Sequence, residues 1–223
     1  MNIPRLVILG PQGAGKGTQA GRLARKLHIK HISTGDVLRD EIASHSNLGR
    51  RIAAIINTGR LVPSSMSNAM MKHRLAERDC ANGWIADGYP RRIDQATSLL
   101  KYGKPNLIIF LHLSDKAAVQ RLSGRRVCPK GHVYHLRHDP PKKQRGHCDH
   151  DGLRLRQRDD DTPQAIRRRL KIYHKETERV LDWYKERVLM VTVDAHPPIR
   201  IVYRDMMKKL RAIPWLSSQL ATK

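Results

Sequence analysis

The chain has 223 residues, 39% of them hydrophobic, and carries 43 Lys and Arg against 20 Asp and Glu, a formal net charge of +23. That length and apolar content support one substantial core with insertions; three Cys exclude a disulfide framework, and no apolar run is long enough for a membrane-spanning helix. The charge predicts attraction to anions: nucleotides, phosphates, or nucleic acid bound non-specifically and with strong salt dependence. The first strand pattern starts almost at the first residue and leaves no room for a leader, so a cytoplasmic address and no membrane partner are expected.

Arg5-Leu-Val-Ile-Leu9 is a short apolar run that reads as a buried strand. Gly10-Pro-Gln-Gly-Ala-Gly-Lys16-Gly17-Thr18 follows, fitting G-x-x-x-x-G-K with its hydroxyl residue one place later than usual. Ala20, Leu23, Ala24 and Leu27 then recur at helical spacing. Strand, glycine loop and helix make a phosphate cradle: backbone N–H groups turn to the anion, the helix dipole adds to them, and Lys16 supplies a point charge.

His31-Ile32 reads as a second strand, and Ser33-Thr34-Gly35-Asp36 carries helix-start residues. Two short helices are expected over 37–44 and 48–57, ended by Gly59 and Pro63, making 33–62 a helical insertion. A helix over 67–77 and a strand over 83–86 lead into Asp87-Gly88-Tyr-Pro-Arg91; a helix over 93–100, a strand over 107–111 and a helix from Asp115 to about Ser123 come next. Residues 125–158 break the pattern: basic, rich in His, with Pro140-Pro141 and little helical periodicity, they read as a separately folded lid. Thr162-Pro163 opens a long helix whose Ile166, Leu170, Tyr173, Thr177, Val180 and Tyr184 share one face. A strand over 189–193 and a helix over 198–210 complete the pattern, and the tail from Ile213 carries no clear signal. Alternating strands and helices predict an α/β fold, a central parallel sheet flanked by helices in three layers, of the P-loop NTPase type. The expected core is 1–32, 63–124 and 163–223, with insertions at 33–62 and 125–162.

Four further stretches set Arg beside turn residues: Thr34-Gly-Asp-Val-Leu-Arg39, Gly59-Arg60-Leu-Val62, Asp87-Gly-Tyr-Pro-Arg91 and Gly124-Arg125-Arg126. With the phosphate loop and Arg158-x-Asp160-Asp161…Arg169, they resemble the adenylate kinases of the long-lid type over nearly the whole chain. The resemblance implies reversible transfer of a phosphoryl group from MgATP to AMP, giving two ADP, and one active site per chain suggests a monomer. It assigns Gly13, Ala14, Gly15, Lys16, Gly17, Thr18, Arg121, Arg125, Val133 and Tyr134 to ATP. It assigns Thr34, Arg39, Arg60, Val62, Gly88, Arg91, Gln95, Arg158 and Arg169 to AMP, and Thr18 and Asp87 to the Mg²⁺ region. Lys16, Arg91, Arg125, Arg158 and Arg169 would stabilise the transferring group. AMP phosphate is already ionised, so no general base is needed and the work is positioning and electrostatics.

Metal-bearing relatives of this type hold a structural Zn²⁺ in the lid with two Cys-rich pairs. Here Cys148-Asp-His-Asp151 keeps the second spacing, whereas Cys128-Pro-Lys-Gly-His132 lacks the second Cys. Cys128, His132, Cys148 and Asp151 are the expected ligands, with His135, His147 and His150 as substitutes for His132. Three alternatives stand beside this reading. UMP–CMP kinases share the loop, but they usually carry Ala where this chain has Thr34, and a short lid. A GTP:AMP phosphotransferase would differ in the donor base, and a basic P-loop ATPase that binds RNA or ribosomes would use the charge.

Overall fold

The computed structural model describes residues 2–58 and 60–221. Gly59, expected to end the third helix, lies outside the described residues.

Five parallel strands form the central sheet, in the order β2-β3-β1-β4-β7. They are β1 (Arg5–Leu9), β2 (Lys30–Ser33), β3 (Trp84–Asp87), β4 (Leu107–His112) and β7 (Met190–Asp194). The period-2 alternation of β1 divides the core. Leu6 and Ile8 face one layer with α1 (Lys16–Leu27), α6 (Asp115–Ser123) and α9 (Ile199–Arg211); Val7 and Leu9 face the other, with α4 (Ser64–Leu75) and α5 (Ile93–Gly103). Each of these four β1 side chains is almost wholly shielded from water. A strand buried on both faces is what an all-parallel sheet requires.

Two small units stand outside the sheet. Helices α2 (Thr34–Ala43) and α3 (Asn47–Asn57) pack on each other, each opened by a serine side chain: Ser33 accepts from Asp36 N and Ser46 from Gly49 N. Between α6 and α7 (Pro163–Ile172), β5 (Arg125–Val127) and β6 (Val133–His135) pair antiparallel, and Cys128, Tyr134 and Cys148 form their own small cluster with Leu155.

The expected face from Ile166 to Tyr184 is buried at all six positions. The helix behind it is not uniform: α7 passes through a π segment (Tyr173–Thr177) into α8 (Glu178–Lys185). Ile166 and Leu170 join the first layer, Val180, Leu181 and Tyr184 the second, so the π segment lies where the run crosses from one layer to the other. The tail holds a further helix, α10 (Pro214–Ala221), packed on α1 and α9 through Ile213, Leu216 and Leu220. Among the described residues no helix is long and apolar enough to cross a membrane.

Candidate active site and lid cluster

The loop from Gly10 to Gly15 leaves β1 at the carboxyl edge of the sheet, where parallel α/β folds bind ligands. Gly15 caps α1 at φ 83°, a left-handed conformation that glycine adopts without steric cost. The first internal bond of the helix comes from Gln19 N to Gly15 O, which leaves the amides of Lys16, Gly17 and Thr18 for an anion. No acidic side chain sits in that first turn. Gly17 has a second reason to lack a side chain: a Cβ there would stand 3.3 Å from Asp87 Oδ2. The carboxylate at the end of β3 therefore faces the start of α1, beside exposed Thr18.

Lys16 Nζ curls back on its own loop, donating to Gly10 O at 2.9 Å and Pro11 O at 2.8 Å. Burial lowers its pKa to about 8; Asp87 works against that shift, and Arg91, Arg169 and Arg125 reinforce it. Arg91, Arg158 and Arg169 are likewise held below the ordinary guanidinium value, first by burial and then by one another and by Arg39 and Arg125. The structure thus brings together Lys16, Arg91, Arg125, Arg158 and Arg169, with Arg39 near. Two carboxylates partly balance them: Arg125 grips Asp161, while Arg158 and Arg169 reach Asp160 at 3.0 and 2.9 Å.

Of the residues expected to face AMP, Arg91, Gln95, Gly88 and Thr34 are tied into a hydrogen-bond frame. Arg91 Nε donates to Gly88 O at 2.7 Å, and Arg91 N donates to Gln95 Oε1 at 2.7 Å. Gln95 Nε2 donates to Ser67 Oγ at 2.9 Å, so this buried amide has a partner at each end. Thr177 Oγ1, in the π segment, donates to Arg91 O. Thr34 Oγ1 donates to Asp87 O at 3.1 Å, joining the start of α2 to the end of β3. Arg39 pairs with Asp36, and Val62 is buried. Arg60 is exposed and makes no hydrogen bond among the described residues. Tyr89 is buried, and its hydroxyl donates to Asn68 Oδ1 at 2.7 Å and meets Tyr102 at 2.7 Å.

Arg121, in α6 and expected to face ATP, spans Gly13 O at 3.4 Å and His196 O at 2.8 Å. Its pKa is lowered by burial. Sequence reasoning passed over His196. The ring is pinned by Asp194 Oδ1 at Nδ1 and by Ser114 N, which donates to Nε2. Its signal was position: it follows β7 at the ligand-binding edge of the sheet. His31 was also missed, although its Nε2 stands 3.6 Å from Asp87 Oδ2. Val133 and Tyr134 are not brought to the arginine group as side chains. Val133 is exposed, and Tyr134 turns into the lid, donating to Cys148 Sγ and accepting from Asp149 N. The alternation of β6 explains this, since one residue of the pair must face the lid core.

In the lid, one donor atom from each of Cys128, His132, Cys148 and Asp151 lies within 4.8 Å of all the others. Cys128 Sγ to Asp151 Oδ2 is 3.0 Å, Cys148 Sγ to His132 Nδ1 is 3.3 Å, and His132 Nδ1 to Asp151 Oδ2 is 3.4 Å. Ligands of a tetrahedral ion at ~2.0–2.3 Å stand ~3.3–3.8 Å apart, so the set needs little movement to close on one. The other histidines are occupied elsewhere: His135 Nδ1 accepts from Arg137 N and His138 N, His147 meets Arg145 O, and His150 stacks on His132.

A phosphate loop after the first strand of a parallel sheet, facing arginines from both sides of a lid, defines a P-loop nucleotide-binding protein built for phosphoryl groups. Comparison with known proteins narrows the class. The model of the family described as adenylate kinase matches residues 8–189. The adenylate kinase of Streptomyces coelicolor is 42% identical over 215 residues, covering 93% of this chain and 98% of that protein. Those of Caldanaerobacter subterraneus subsp. tengcongensis and Methanothrix thermoacetophila are 39% and 40% identical, covering 92% of this chain and 96% and 97% of those proteins. The chain belongs to the adenylate kinase family.

Proposed function

We propose that the protein transfers the γ-phosphoryl group of MgATP to AMP, in line and without a general base, giving two ADP. The convergence of Lys16, Arg91, Arg125, Arg158 and Arg169 on the phosphate loop carries this reading, in a chain of this family. Two polyanions repel each other, and the planar forks of arginine offset that repulsion while fixing the geometry. Gly13 to Thr18 and Arg121 hold ATP; Thr34, Arg39, Arg60, Val62, Gly88 and Gln95 surround AMP. Mg²⁺, bound with ATP, spreads the phosphate charge. The Thr18 hydroxyl and the Asp87 carboxylate, whose Oδ2 stands 3.3 Å from where a Cβ on Gly17 would lie, are the groups that would hold its region.

Within this reading, 33–62 closes over AMP and 125–162 over ATP, and closure excludes water as a competing acceptor. Cys128, His132, Cys148 and Asp151 hold a structural Zn²⁺. Their thiolate, imidazole and carboxylate donors suit that ion, and four protein ligands leave no open position for chemistry. The protein acts as a cytoplasmic monomer, and nucleic acid is bound only through bulk charge. Lys16→Ala and Arg91→Ala test the assignment: each should lower kcat by roughly 10²-fold or more with the fold retained. Near-normal turnover in both would reject it.

A further inference from the structure

Between α6 and α7 runs a groove of about 610 Å³, lined by none of the residues assigned above to ATP or AMP. Its floor is apolar, with Leu170 buried and Val119 half-buried. Its rim is basic. Lys116, Arg167 and Lys171 are exposed there, and none has an ion-pair or hydrogen-bond partner among the described residues.

The acids at one end of the groove do not neutralise that rim. Asp115 is engaged by His174 Nε2 at 2.9 and 3.0 Å, and His174 Nδ1 meets Glu178 Oε1 at 2.9 Å. Against the opposing effect of burial, these two carboxylates hold His174 above the ordinary histidine value. One imidazolium offsets only one of the two acids, so the bridge keeps about one negative charge at that end against three positive charges around the apolar floor. Like charges this close are unfavourable without a counter-charge, and an apolar floor favours a ligand with an apolar body. A nucleoside polyphosphate has both parts: a base to cover Val119 and Leu170, and phosphates for the three cations.

We propose that the α6–α7 groove is a second nucleotide-binding site, separate from the transfer site. Its position gives it leverage. Helix α6 runs into the lid at Gly124 and α7 leaves the lid at Thr162, so an occupant ties together the two helices from which the lid hangs.

The test is equilibrium dialysis of ATP against the full chain at physiological salt, with the transfer site saturated by the bisubstrate compound diadenosine pentaphosphate. One further ATP should bind per chain. The double variant Lys116→Glu/Lys171→Glu should weaken that binding roughly tenfold or more. Turnover of ATP with AMP at low concentration should be unchanged in it. The double variant Arg200→Glu/Lys208→Glu removes equal charge from exposed positions on α9 and should leave the extra site intact. Tripolyphosphate should bind more weakly than ATP, because it cannot use the floor. No binding beyond the bisubstrate compound overturns the proposal. So does equal loss in both double variants, which would mean bulk charge, or tripolyphosphate binding as tightly as ATP.

Discussion

Arg125 and Asp161 are joined by a two-point fork: Nε donates to Oδ2 at 2.7 Å and Nη2 to Oδ1 at 2.6 Å, with the aspartate wholly shielded from solvent. The pair ties the strand that enters the lid to the turn that leaves it, and Arg169 adds a longer contact to the same carboxylate at 3.5 Å. Asp161→Asn keeps the shape and removes the charge that holds two arginines. Hydrogen bonds to charged groups contribute about 1.5–3 kcal/mol each, so the variant should lose stability of about that order. Thermal or urea unfolding of the full chain reads this directly, and an unchanged transition would mean that the fork is only a resting place for Arg125.

Lys16 gives a pH dependence of definite sign. In the nucleotide-free protein its amine titrates at about 8 because burial disfavours the charge. Phosphate binding needs the ammonium form, which predominates below that value and is lost above it. ATP affinity should therefore fall as pH rises from 7 to 9, by roughly tenfold if Lys16 alone is responsible. Calorimetric titration at the two pH values, repeated with Lys16→Met, checks it. The variant should bind weakly at both, with the slope gone.

The lid cluster predicts about one Zn²⁺ per chain in protein purified without a His-tag. The lid has too small an apolar cluster to fold by burial alone: among the described residues it is Cys128, Tyr134 and Cys148, with Leu155 against them. Chelation or Cys148→Ser should lower the unfolding temperature before it lowers turnover at room temperature. Elemental analysis showing no metal, with stability indifferent to chelator, would reject the site.

Thr34 and Gln95 should help select the acceptor. Thr34→Ala removes the hydroxyl that ties α2 to Asp87 O, and it should raise the use of CMP or UMP relative to AMP. If the ratio of kcat/KM values does not move, the hydroxyl serves only that structural bond and selection lies elsewhere in 33–62.

Where one physical signal dominates a segment, the fold was legible in the sequence. The apolar run at β1 gave its strand, and the steps of four and three from Ile166 to Tyr184 gave a face that is buried throughout. The π segment was not legible, because no Pro or Gly marks it; it lies where one helical run serves two core layers. Helix α10 was missed for a related reason. A helix this short gains little from its own hydrogen bonds and depends on packing against α1 and α9, which a local pattern does not reveal. At the site, the family resemblance named the arginines and the lid set Cys128, His132, Cys148 and Asp151, and the structure brings one donor atom from each of those four within 4.8 Å of the others. Partners remote in sequence were hidden, such as His196 O for Arg121 and the inward turn of Tyr134.

The central claim is tested most directly by following the products formed from MgATP and each nucleoside monophosphate in turn, by chromatography. With AMP, one ATP and one AMP should disappear for every two ADP formed, and AMP should be used about tenfold or more faster than GMP, CMP or UMP. Failure to form ADP from ATP and AMP, or equal use of a pyrimidine monophosphate, would contradict the account.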